Sequence, residues 1–75
     1  MTPEEYREAL KRHGLTQVGF ARMLGAKSRT GQYWATVAVP PAVATIIQLL
    51  DRLPALLPII EQIAKERDGA AQKHG

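Results

Sequence analysis

Apolar residues recur every three or four positions along most of this chain of 75 residues, which is the spacing of helices with one buried face. Between the periodic segments stand proline, glycine and hydroxyl residues of the kind that begin and end helices. The predicted helices span residues 3–13, 17–24, 28–36, 41–53 and 58–67. We therefore predict an all-α fold of five helices without strands.

Local signals mark the first three helix starts. Thr2 and Glu5 have the spacing of a capping box, and Pro3 stands at the first helical position, where its missing N–H is no loss. Thr16 is the predicted cap of the second helix, and Ser28 opens the third.

Prolines divide the second half of the chain. The stretch VAVPPAV is a predicted loop, since each proline disfavours helical geometry in the residue before it. PALL is a predicted single turn before the last helix, and residues 69–75 lack apolar periodicity and are expected to fray. The prediction is one domain over residues 1–68, with a C-terminal dimerisation helix at about 54–67 and a frayed tail that contains His74.

The apolar positions predict a small core and a surplus. The predicted core residues are Tyr6, Leu10, Leu15, Phe20, Leu24, Trp34, Ile46 and Leu50. The C-terminal segment carries further aliphatic residues that so small a core cannot cover. These are Leu53, Leu56, Leu57, Ile59, Ile60 and Ile63. We expect a second copy of the chain to bury them, which predicts a homodimer.

Composition narrows the class of protein. The chain has no cysteine, one serine, no asparagine and two histidines, so we expect neither a catalytic site nor a metal, a cofactor or a small-molecule ligand. Proline and charged residues interrupt the longest apolar runs, which argues against a signal peptide or a membrane span. A soluble, cytoplasmic protein that is not an enzyme is the expectation.

Charge is unevenly distributed around the formal net value of +3. No acidic residue lies between Glu8 and Asp51. The basic residues of that stretch are Lys11, Arg12, Arg22, Lys27 and Arg29. A basic region attracts nucleic-acid phosphates or an acidic partner, although the same charges could be an ordinary solvated surface.

The segment TQVGFARMLGAKSRTGQYW, residues 16–34, contains two short helical patterns joined at Gly25. Ala21 is small enough for a steep helix crossing, and Gly25 can take the left-handed backbone conformation that a tight turn needs. With Gln17 opening the motif, Phe20 and Leu24 in the core and Trp34 closing it, the region from about residue 10 to 50 resembles the lambda-repressor-like, Cro-like (XRE-type) helix-turn-helix DNA-binding regulators.

The resemblance implies that helices 2 and 3 form the helix-turn-helix, with helix 3 in the major groove of double-stranded DNA. The implied base-reading residues are Ser28, Arg29, Gln32 and Tyr33. The implied phosphate contacts are Gln17, Lys27, Arg22 and Thr30. For Arg29 an ordinary exposed charge is the alternative, and for Tyr33 it is partial burial against helix 4.

Gly31 departs from the family pattern, which usually has an aliphatic residue at this position, and ATVAVPP follows Trp34 where the family often has an acid and a glycine. We expect either a small void beside Gly31 or a neighbouring side chain, such as Met23, in that space. Since glycine weakens a helix by about 1 kcal/mol relative to alanine, Gly31→Ala is then expected to stabilise the protein.

The resemblance implies that the chain is a homodimeric transcriptional regulator. Such a regulator represses by occupying an inverted repeat in a promoter, which can be its own. Antitoxin-type, phage Cro-like and anti-CRISPR-associated repressors all fit this pattern. A helix-turn-helix-derived protein-binding module that has lost DNA contact is the alternative.

Overall fold

The structure is a computed structural model that describes residues 1–73, with side chains up to Gly69. Its described part contains five helices and no strand. They are α1 (Pro3–Arg12), α2 (Gln17–Met23), α3 (Ser28–Thr36), α4 (Pro41–Arg52) and α5 (Leu56–Lys73). The all-helical prediction is confirmed, and the first four helices agree with their predicted bounds to within one residue.

The predicted caps form at the first two helices. Thr2 Oγ1 accepts a hydrogen bond from the backbone N–H of Glu5, and the Glu5 carboxylate accepts one from the N–H of Thr2. Hydrogen bonding to the Thr2 backbone, followed by that to the Thr2 side chain, lowers the pKa of the Glu5 carboxyl. Thr16 Oγ1 accepts from the N–H of Gly19 at 2.9 Å. Ser28 is the first residue of α3, as predicted, and the N-cap before it, Lys27, makes no side-chain cap bond.

The core lies where α1, α2, α3 and α4 meet. The Tyr6 ring contacts Phe20 at a centroid distance of 6.1 Å and meets Trp34 edge-on at 6.4 Å. Of the other predicted core residues, Leu10 and Leu50 are buried; Leu15, Leu24 and Ile46 are partly buried against the same cluster. The Tyr6 hydroxyl is buried without a hydrogen-bond partner among the described residues, and burial raises its pKa to about 12.

A charged cluster fastens the end of α1 to the end of α4. Asp51 accepts two hydrogen bonds from Arg12 Nη2, at 2.9 and 3.0 Å, and its Oδ1 lies 2.7 Å from His13 Nε2. Hydrogen bonding to Arg12, followed by that to His13, holds the pKa of the Asp51 carboxyl below its ordinary value. Arg12, one of the basic residues of the acid-free stretch, is therefore already paired.

The last helix is longer than predicted at both ends. It begins at Leu56 instead of residue 58, because a proline at position 58 lies in the first turn, where N–H groups have no intrahelical partner to lose. It also passes the predicted end at residue 67 and reaches Lys73, through alanine, glutamine and lysine, which favour helix. The helix thus includes most of the predicted tail; His74 and Gly75 lie outside the described residues.

Within residues 1–73, no single helix is long and apolar enough to cross a membrane. α3 and α4 meet that criterion of length and composition only as a pair, and they are bent by 83° at the break between them.

Candidate functional site

α2 and α3 approach each other closely at Gly31. A β-carbon at position 31 would lie 2.7 Å from the Ala21 β-carbon and 2.8 Å from the Gln17 carbonyl oxygen. The expected void is absent, and Met23 does not fill the space, since it lines a groove between α2 and α5. Neighbouring atoms take the space, as one of the two alternatives expects, but they are the Ala21 side chain and the Gln17 carbonyl oxygen instead of Met23. Glycine is what allows this approach.

The turn between α2 and α3 has the geometry that the sequence predicts. Gly25 has φ +79°, a left-handed conformation that is strained for residues with a side chain. The N–H of Gly25 donates to the Arg22 carbonyl at 3.0 Å, and the N–H of Ala26 to the Ala21 carbonyl at 2.8 Å. Lys27 follows directly and leads into the first turn of α3.

One face of α3 is buried and the opposite face is exposed. Gly31, Trp34 and Ala35 face the core. The exposed residues include all four predicted base readers and one predicted phosphate contact; they are Ser28, Arg29, Thr30, Gln32, Tyr33 and Thr36. Tyr33 is 51% exposed, so about half of its side chain is accessible to a partner. The exposed face offers hydroxyl, guanidinium, amide and phenol groups within little more than two helical turns.

The charge of this face is positive. No acidic residue occurs in α2, the turn or α3. Lys27 and Arg29 are exposed, and neither forms an ion pair in the described part of the chain, where the ion pairs involve Asp51 and Asp68. Two unpaired cations at the start of α3 can therefore attract an anionic partner.

The predicted phosphate contacts lie at three places on the surface. Lys27 and Thr30 lie at the start of α3, while Gln17 is partly buried at the start of α2. Gln17 borders an open groove of about 420 Å³ that also contains Glu4, Glu8 and Lys11. Arg22 borders α5 instead, and lines a groove of about 190 Å³. The structure thus brings Lys27 and Thr30 beside the base-reading candidates, with Arg22 on a separate side of α2.

Two arginines that hold the motif in place were not predicted. Arg7 Nη1, on α1, donates to the Ala35 carbonyl at the end of α3. Arg67, on α5, donates from Nη2 to the Arg22 carbonyl at 2.9 Å and from Nη1 to the Met23 carbonyl at 3.2 Å. These bonds join residues 28 to 45 positions apart, and helical periodicity carries no signal for such contacts.

The predicted dimer residues also fall into two groups. Leu56, Leu57 and Ile60 pack against the chain's own core. Leu53, at the end of α4, and Ile59 and Ile63, on α5, are each more than half exposed. We call these three residues, two of which lie on α5, the α5 apolar stripe. Leu49, which was not predicted as an interface residue, is 46% exposed. The stripe is thus smaller than the predicted interface.

Among the described residues, no group of three or more histidine, cysteine, aspartate or glutamate side chains could hold a metal ion. Comparison with protein-family models, with curated proteins and with solved structures gave no match for this chain.

Proposed function

We propose that this chain is a sequence-specific DNA-binding transcriptional regulator of the lambda-repressor-like, Cro-like (XRE-type) helix-turn-helix kind, in which α3 enters the major groove. One observation carries the proposal: α3 packs closely against α2 at Gly31, while its opposite, acid-free face presents Arg29, Gln32 and Tyr33 to solvent. A supported helix with an exposed polar and basic face is what major-groove reading requires.

The proposed base contacts follow from side-chain chemistry. Arg29 is the second residue of α3, and its guanidinium can donate two parallel hydrogen bonds to guanine O6 and N7. Gln32, about one turn later, can pair with adenine N6 and N7. Ser28 can bond to a base edge, and the Tyr33 phenol can bond a phosphate or touch a thymine methyl.

The proposed phosphate contacts supply affinity without specificity. Lys27 and Thr30 stand beside the base-reading face, and Gln17 lies at the start of α2, which would cross the DNA backbone. Arg22 borders α5, so it adds positive charge near the DNA instead of forming part of the same cluster. Each released counterion makes binding weaker at higher salt.

We also propose that the chain works as a homodimer whose two copies meet through the α5 apolar stripe. Exposed Leu53, Ile59 and Ile63 support this, because burying a large aliphatic side chain contributes about 1.5 to 3 kcal/mol. A two-fold axis would place two α3 helices on successive turns of the duplex, about 34 Å apart. Repression by occupying an inverted repeat in the cytoplasm is then the proposed mode of action.

Selection of bound duplexes from a random DNA pool tests the proposal. We expect enrichment of an inverted repeat whose half-sites are about 10 base pairs apart. Gln32→Ala should relax one base position of that repeat, whereas Gln48→Ala, which removes an exposed amide on α4, should select the same repeat as the wild type. If no sequence is enriched, the result would contradict the proposal and favour the protein-binding alternative.

A further inference from the structure

Arg67 contacts the α2–α3 unit at the point where the turn begins. Its guanidinium donates hydrogen bonds to the carbonyls of Arg22 and Met23. A β-carbon at position 25 would lie 3.4 Å from Arg67 Nη1. No backbone N–H in the described residues bonds to the Met23 carbonyl. The side chain of a distant helix therefore satisfies a group that the turn leaves unpaired.

The charge of Arg67 suits this position. The last carbonyls of a helix carry partial negative charge, and a cation near them is favourable. α2 has seven residues, so few of its own hydrogen bonds hold its final turn in place. The bonds from Arg67 hold the end of α2 at a fixed distance from α5.

The turn transmits this constraint to the proposed DNA-reading helix. Only Leu24 to Lys27 separate Met23 from Ser28, the first residue of α3. Movement at the end of α2 would therefore shift the start of α3, which carries Arg29. Base reading depends on bidentate geometry, while a phosphate contact tolerates small displacements.

We propose that Arg67 is a positioning residue for DNA recognition, which sets the placement of Arg29 by clamping the end of α2 to α5. The inference rests on the proposed function, and it makes α5 part of the DNA-reading unit as well as the proposed dimer helix. Loss of the clamp should weaken binding to the preferred sequence more than binding to other sequences.

The test compares Arg67→Met with Arg52→Met, a matched variant that removes one exposed arginine from the end of α4. Affinities are measured for the duplex selected by the wild type and for a scrambled duplex, at one salt concentration. We expect Arg67→Met to reduce the ratio of the two affinities about tenfold, the size of effect given by losing a charged hydrogen bond. Arg52→Met should weaken both duplexes alike and leave the ratio unchanged.

Circular dichroism at the assay temperature establishes that each variant is folded. If Arg67→Met is unfolded there, Arg67→Lys takes its place, because a lysine keeps the charge and cannot bridge both carbonyls with a planar fork; its ratio should also fall. An unchanged ratio in the folded variant would overturn the inference alone. A wild type that prefers no duplex would overturn the proposed function and this inference together.

Discussion

Gly31 and Ala21 meet so closely at the crossing of α3 and α2 that a β-carbon at position 31 would stand 2.7 Å from the β-carbon of Ala21. Gln17 contributes a backbone carbonyl oxygen on the same side, at 2.8 Å. Ala21 is fully buried, so neither neighbour can turn away into solvent. The crossing depends on the absence of a side chain at position 31.

Gly31→Ala should therefore destabilise the protein, although alanine favours helix. Overpacking costs about 1 to 3 kcal/mol, and the gain in helix propensity of about 1 kcal/mol does not offset a clash with backbone. Thermal and urea unfolding give the free energy of unfolding for comparison with the wild type.

Gly69→Ala is the matched control for that substitution. Position 69 is helical, and a β-carbon there would meet nothing within 4 Å. This variant should be more stable by up to about 1 kcal/mol. A Gly31→Ala variant that is stabilised as much as Gly69→Ala would contradict the close approach.

The Tyr6 hydroxyl yields a second prediction. It is buried with no partner among the described residues, and an unsatisfied buried group costs about 1 to 3 kcal/mol. Tyr6→Phe should therefore raise the free energy of unfolding by about 1 kcal/mol, while Tyr33→Phe, which removes an exposed hydroxyl, should change it little. Lower stability of Tyr6→Phe would show that the hydroxyl has a partner, such as a buried water.

The Asp51 cluster makes stability depend on pH. Arg12 and His13 lower the pKa of this carboxyl from its ordinary value of 3.8. A lowered carboxyl pKa stabilises the fold fully above about pH 5, and this contribution is lost as the pH falls through the lowered value.

Asp51→Asn should therefore melt at a lower temperature than the wild type at pH 7, and the difference should shrink toward zero near pH 2. Glu66→Gln, which removes an exposed carboxylate that has no ion pair in the described chain, should show a small difference at every pH. Equal melting temperatures of Asp51→Asn and wild type at pH 7 would show that the cluster contributes nothing.

Substitutions in the α5 apolar stripe test the proposed dimer. Ile59 and Ile63 are both more than half exposed, so changing both to glutamate should leave the core intact while placing like charges across a two-fold interface. Ile60 is left unchanged because it packs on the chain's own core. We expect a dimer for the wild type and a monomer for the variant in sedimentation equilibrium at micromolar concentration.

Val37→Glu is the control for that experiment, since it adds a charge at a 60% exposed aliphatic position outside α5. It should remain a dimer. A monomeric wild type at the same concentration would contradict the proposed dimer.

The helix bounds could be predicted where the signals are local. Thr2, Thr16 and Gly25 act within a few residues of themselves, and the structure has each in its predicted place. The start of α5 differs from the prediction, because a proline is tolerated throughout the first turn and Pro58 therefore does not mark the first helical residue.

The support of α3 could be predicted only in part. Ala21 is the predicted small residue at the crossing, and the structure has it there. The close approach of its partner Gly31 could not be predicted, because the pattern of one helix does not reveal which backbone packs against it. The bonds from Arg7 and Arg67 depend in the same way on the final packing of distant helices.

The most direct test of the proposed DNA-reading face compares Arg29→Ala with Lys27→Ala, two neighbouring exposed cations at the start of α3. Affinities are measured by fluorescence anisotropy for the selected duplex and a scrambled one, over a series of salt concentrations. Arg29→Ala should lose about 1 to 3 kcal/mol on the selected duplex alone, whereas Lys27→Ala should weaken both duplexes similarly and reduce the salt slope by about one. Equal losses on both duplexes for Arg29→Ala would contradict base reading by α3.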